Sequence, residues 1–153
     1  MLPPLWLAKL TRDPTGTVTV LGSVPLGRMV LRTAAKAGDA LFVSGTIGTA
    51  GLGLELIKDA GLQASWGLSD DECGSLRQRY RRPEPRLALS PLLRQYASAA
   101  MDVSDGLVKD LDRLLRASGV AGRLIAADVP LAGPARKVVV RAPERLAGLI
   151  TAG

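Results

Sequence analysis

The stretch that most constrains this chain is residues 100–118, AMDVSDGLVKDLDRLLRAS. Its second part, 106–117, carries Leu107, Val108, Leu111, Leu114 and Leu115 in one stripe of helical period. Lys109, Asp110, Asp112, Arg113 and Arg116 are expected on the opposite, solvent face, and Ser118-Gly119 is a stop signal. The residues just before, 98–103, read as a small-residue strand. A helix with one apolar stripe must bury it against another layer. The chain is therefore expected to be an α/β (α+β layered) protein, a mixed sheet with packed helices, with Asp102, Ser104 and Asp105 between strand and helix.

Apolar residues make up 47% of the 153 but aromatics only 3%, so the core has to be aliphatic. With no His and a single Cys, zinc sites and Ser-His or Cys-His catalysis are excluded, and any metal has to be a hard ion held by oxygen, such as Mg²⁺. The lone Cys73 forms no internal disulfide, which points to a reducing cytoplasm. A net charge of +6 suits a phosphate-bearing partner. Nucleic acid is not expected, because aromatics do not interleave with the basic residues. No apolar run is long enough to span a membrane.

Taken in order, residues 17–21 alternate as a strand, 22–27 turn, and 28–37 are basic and weakly helical. Residues 37–39 are a turn and 40–44 an apolar run typical of a buried strand. The glycine-rich run 45–53 follows, but it matches neither GxxxxGK[ST] nor GxGxxG. Glycines that let a helix pack closely on a sheet are the favoured reading over direct phosphate contact. Residues 61–67 read as a loop. Ser69 with Glu72 makes a capping box for a helix over 70–81 that ends before Pro83, and 91–96 is a short helix. Residues 123–128 read as a strand, and 134–150 as helical with a break at Pro143.

Two readings of the Asp102–Asp105 stretch stand side by side. In one, Ser104 or Asp105 simply caps the helix, at about 1 kcal/mol, and Asp102 is solvated. In the other, the free N–H groups of the helix N-terminus accept phosphate oxygens while the carboxylates hold Mg²⁺.

The motif AMDVSDGL, with Asp110-Leu111 and the ASGV run at 117–120, resembles the signature of the thiamine-monophosphate kinase family, within the aminoimidazole-ribonucleotide-synthetase superfamily. Residues 22–28, 31–32 and 35–39 resemble the family's segment linking its two domains. LFVSGTIG at 41–48 resembles the next strand and glycine turn, and YRRPEPR at 80–86 the stretch upstream of the metal site. The resemblance covers most of residues 17–131. It implies that Asp102 and Asp105 bind Mg²⁺, that Ser104 and Arg32 contact ATP, and that no side chain acts as a covalent or acid–base catalyst. The implied reaction is ATP- and Mg²⁺-dependent phosphorylation of thiamine monophosphate to thiamine diphosphate, in a cytoplasmic homodimer. The physics agrees, because phosphoryl transfer is mostly positioning and charge neutralisation.

The chain also departs from the family. Lys9 stands where a metal-binding Asp is expected, Thr49 replaces an acidic residue, and the family's further acidic segments have no counterpart. The expected organisation is a remnant of the N-terminal domain over 1–27, with a non-matching leader 1–10, followed by an incomplete C-terminal domain over 28–153. The dimer interface is expected to be largely missing. The alternative function is a catalytically inactive remnant that at most binds nucleotide weakly.

Overall fold

The computed structural model describes residues 22–152. Its helices are α1 (Thr49–Lys58), α2 (Leu62–Trp66), α3 (Asp70–Arg81), α4 (Ser90–Tyr96), α5 (Leu107–Ser118), α6 (Gly133–Arg141) and α7 (Arg145–Ala152). Short 3₁₀ turns occupy Leu87–Leu89 and Ala126–Asp128. The expected strand 17–21 and the leader 1–10 lie outside the described residues.

Local chemistry sets most helix boundaries. The Glu72 amide donates to Ser69 Oγ at 3.2 Å and the Ser69 amide donates to Glu72 Oε2 at 2.9 Å. This is the expected capping box, and α3 starts at Asp70 because of it. Pro143 separates α6 from α7, and Gly119, at φ 68°, ends α5 by donating to the Arg116 and Leu115 carbonyls. Two expectations are corrected. Residues 61–67 are not a loop but hold α2, which closes on Gly67 and buries Trp66. Residues 28–37 form turns rather than a weak helix.

The interior consists of two clusters that share one helix. Leu52 and Leu56 of α1, Trp66 of α2, Cys73 and Leu76 of α3, Ala135 and Val138 of α6 and Leu149 of α7 form the first, together with Leu68. Ile47, Leu107, Val129 and Ile150 form the second, flanked by Val43, Val108, Leu124 and Leu146. Neighbouring residues of α7, Leu149 and Ile150, therefore face different clusters. Arg145 fastens the start of α7 by donating to Glu55 Oε2 at 2.8 Å and lying 5.0 Å over the Trp66 ring.

The glycine-rich run does bring two layers close together, but the second layer is a helix rather than a sheet. Gly53 is buried where α1 crosses α3, and a Cβ there would collide with the Leu76 carbonyl oxygen. Gly48, at φ 84°, starts α1 and lies against Leu149.

The expected mixed sheet does not form among the described residues. In its place are two isolated parallel bridges, Leu31 with Ala99 and Ile47 with Leu131. Residues 40–44 and 98–103 make no ladder, and 123–128 ends in a 3₁₀ turn. The reason is physical. An apolar or β-branched run favours extended backbone, but a strand exists only when a second segment satisfies its N–H and C=O groups. Leu41 and Phe42, expected to be buried, are 49% and 88% exposed.

Two predictions follow from the helical layer. Gly53→Ala will destabilise the fold by about 1–3 kcal/mol through overpacking, although Ala is the better helix former. Urea denaturation measures this, and a neutral or stabilising result would show that α1 and α3 do not meet at Gly53. The second concerns Glu72, whose carboxyl is held below its ordinary range by the Lys137 ammonium at 2.6 Å and by the Ser69 amide. A depressed folded pKa gives stability that is present above the unfolded value and is lost as pH falls through the folded value. The melting-temperature gap between wild type and Glu72→Gln will accordingly be widest near neutral pH and will narrow as pH falls below the ordinary glutamate value of about 4.3.

Candidate functional site

The backbone enters the site beside Leu31. Ala99 bridges that residue, and the Ala100 amide donates to its carbonyl at 3.4 Å. Residues 102–105 are exposed, and the chain then turns sharply into α5 at Gly106, with φ 116° and ψ 140°, a conformation that favours glycine. Gly106 is the N-cap of α5, and no side chain caps the helix. This corrects the expectation that Ser104 or Asp105 would be the cap, since both lie outside the helix.

Their amides are held by a residue assigned above to the solvent face. Asp110 is only 2% exposed. Its Oδ2 accepts from the Ser104 and Asp105 amides at 2.9 Å each, and its Oδ1 accepts from Arg113 Nη1 at 2.8 Å. Burial raises the Asp110 pKa, but the two amides and the guanidinium outweigh it, and the net shift is downward. The carboxylate is therefore ionised at neutral pH. Asp110 reaches back from the first turn of α5, where side chains lean toward the helix N-terminus. The readable signal was an acidic residue in that first turn. The hydrophobic stripe by itself assigned it to the wrong face.

The candidate residues differ in what they touch. Asp105 is half exposed and paired, with Arg113 Nη2 at 2.8 Å from its Oδ2 and Lys109 Nζ at 3.6 Å from its Oδ1. The Arg113 pKa is raised, chiefly by the hydrogen bond to Asp105 and next by the one to Asp110. Asp102 is exposed and takes no part in these pairs. Ser104 is anchored through its amide. Arg32 is exposed and stands apart from this cluster. Its carbonyl accepts from the Ser118 hydroxyl at 3.2 Å, and Ser118 Oγ accepts from the Ala35 amide at 3.2 Å. The Arg32 turn is thus tied to the far end of α5, about 18 Å along the axis from the start of that helix. Ser104 and Asp105 are gathered by Asp110, whereas the Arg32 turn adjoins the loop through the Leu31–Ala99 bridge and the Ala100 amide.

The donor set is oxygen only. Among the described residues no group of three or more acidic, His or Cys side chains could hold a metal ion. Asp102 and Asp105 alone do not form a cage. They do fit Mg²⁺ shared with phosphate oxygens, where one or two carboxylates and several waters complete the shell. The site can thus receive a phosphate chain at the start of a helix with carboxylates beside it. The glycine turn at Gly45 is packed against the Arg86 guanidinium, which is also 3.6 Å from Glu84.

Asp110→Asn sets an NH₂ donor against either both amides or the guanidinium and should cost about 1.5–3 kcal/mol. Hydrogen exchange at the Ser104 and Asp105 amides should accelerate in parallel. Unchanged protection at both amides would mean that Asp110 does not hold the loop.

Residues 36–151 match the family described as AIR synthase related protein, C-terminal domain. The chain is 42% identical over 135 residues to thiamine-monophosphate kinase from Caulobacter vibrioides, covering 88% of this chain and 36% of that protein. It is 40% identical over 115 residues to thiamine-monophosphate kinase from Salmonella typhimurium, covering 74% and 34%. Among solved structures, thiamine-monophosphate kinase from Stenotrophomonas maltophilia aligns with a TM-score of 0.72 at 33% identity, covering 83% of this chain and 40% of that one. The structure of AaThiL complexed with AMPPCP and TMP aligns with a TM-score of 0.68 at 32% identity, covering 81% and 38%. The chain spans roughly a third of the length of the curated relatives it matches.

Proposed function

Since this chain belongs to the AIR synthase related protein, C-terminal domain family, we propose that it takes part in the ATP- and Mg²⁺-dependent phosphorylation of thiamine monophosphate to thiamine diphosphate. The observation that carries this reading is the Asp102–Asp105 loop, held at the start of α5 by the buried Asp110. Support comes from relatives that are thiamine-monophosphate kinases and from a structural neighbour complexed with AMPPCP and TMP.

Mg²⁺, when bound, would neutralise the phosphate oxygens of ATP. Asp102 would hold it, with Asp105 as second carboxylate. The Ser104 hydroxyl and the N-terminal amides of α5 would orient the phosphates, and Arg32 would reach the nucleotide from the adjoining turn. A phosphate acceptor needs no general base, because at neutral pH it already carries an anionic oxygen. Positioning and charge therefore suffice, in keeping with a site that offers no His and no Cys nucleophile. We place the activity in the cytoplasm and in a pair of subunits. Among the described residues no helix is long and apolar enough to cross a membrane.

The second reading is an inactive remnant that binds nucleotide weakly. It draws on the lack of a three-ligand acidic group among the described residues and on the pairing of Asp105 with two cations. Two measurements separate the readings. Incubating the protein with ATP, thiamine monophosphate and Mg²⁺ should yield thiamine diphosphate, and EDTA should abolish it. Calorimetric titration of Mg²⁺-ATP should show Asp102→Ala binding at least tenfold more weakly, as expected for one lost charge-assisted contact. Binding without product favours the remnant. Equal binding by both proteins removes the loop from nucleotide recognition.

A further inference from the structure

The Asp105 carboxylate already carries a fixed partner. Arg113 spans two acidic groups with the two arms of its guanidinium, Nη2 on Asp105 Oδ2 and Nη1 on Asp110 Oδ1, each at 2.8 Å. The second arm is anchored, because Asp110 is buried and fixed by two backbone amides. The planar fork therefore presents a permanent positive charge to Asp105 without having to be ordered first. Lys109 adds a looser contact at 3.6 Å.

We infer that Arg113 is the internal counter-cation of Asp105 and sets how strongly the loop takes a divalent cation. The inference rests on reading the Asp102–Asp105 loop as a metal-and-phosphate site, and it adds a residue that this reading does not assign. A dication at Asp105 competes with Arg113 for Oδ2, while Arg113 stays attached to Asp110. Asp102, outside these pairs, is then the first carboxylate to engage the ion, and Asp105 joins only when the guanidinium arm swings off. The local charge agrees. Asp105 and Asp110 balance Lys109 and Arg113, and Asp102 adds one net negative charge to the loop. Replacing Arg113 by a neutral residue leaves two, which draws a dication more strongly. The pair is half exposed, so solvent screens it and the effect is moderate.

The test uses Mn²⁺ alone, with free ion counted by electron paramagnetic resonance, on the wild-type chain and on Arg113→Gln, whose amide can still donate to Asp110. Arg113→Gln should bind Mn²⁺ roughly threefold to tenfold more tightly, the range set by a partly exposed ion pair. Lys109→Gln should give a smaller gain. In an Asp105→Asn background, adding Arg113→Gln should change nothing, because the effect acts through Asp105. Circular dichroism checks α5, and Arg113→Met provides a second neutral variant should Gln perturb the helix. Equal Mn²⁺ affinity in wild type and both neutral variants overturns this inference and leaves the site reading intact. A gain that persists in Asp105→Asn also overturns it, because a general change in charge would then be the cause. No Mn²⁺ binding by any of the proteins overturns the site reading and this inference together.

Discussion

A buried carboxylate sets the conformation of everything around the site. An ionised Asp110 shielded from water would be strongly unfavourable if unpaired. It is tolerated because two backbone amides and one guanidinium converge on it. The dependence runs both ways. The loop over residues 102–105 has no ladder to hold it, and the hydrogen bonds that fix its exit are those Asp110 accepts. Gly106 supplies the sharp turn that lets a side chain from inside the helix reach amides outside it. A conventional cap would have used the Ser104 or Asp105 side chain and tied up a candidate ligand. Anchoring the loop from behind leaves the Ser104 hydroxyl and the Asp102 carboxylate outside the network that holds it.

The same helix is placed by α7. Ile150 packs with Leu107 at the start of α5, while Leu149 packs into the cluster built by α1, α3 and α6. Gly48 lies against Leu149, so the glycine turn that begins α1 and the acidic loop that begins α5 share one support. Arg145 adds a charged tie to Glu55 and a ring contact with Trp66. Because interiors pack densely, a shift in α7 would be felt at both turns. This explains how two turns, 45–48 and 102–106, hold a fixed relation even though they are more than fifty residues apart.

The family relationship and the geometry contribute different things. The match to AIR synthase related proteins covers residues 36–151, which include the Asp102–Asp105 loop and exclude Arg32. The Arg113 fork is a property of this chain's own side chains and is visible only in three dimensions. It gives the loop a charge balance that its acidic motif does not convey.

Much of the helical framework was legible in the sequence, because helix signals are local. The Ser69–Glu72 box, the Pro143 break and Gly119 act within one turn of the residues they control, and each appears where expected. The acidic loop at a helix start was legible for the same reason. The sheet was not. Residues 40–44 and 98–103 have strand chemistry, yet strand formation depends on a partner segment, and among the described residues only two bridges result. Asp110 was misplaced because periodicity ranks a charged residue as outward and cannot see two amides waiting behind it. Sequence alone thus determined the helices, the oxygen-only chemistry and the position of the candidate loop. Tertiary structure alone decided which acid is buried, which is paired and which stands exposed outside those pairs, because burial and ion pairing depend on distances that folding creates between residues apart in the chain.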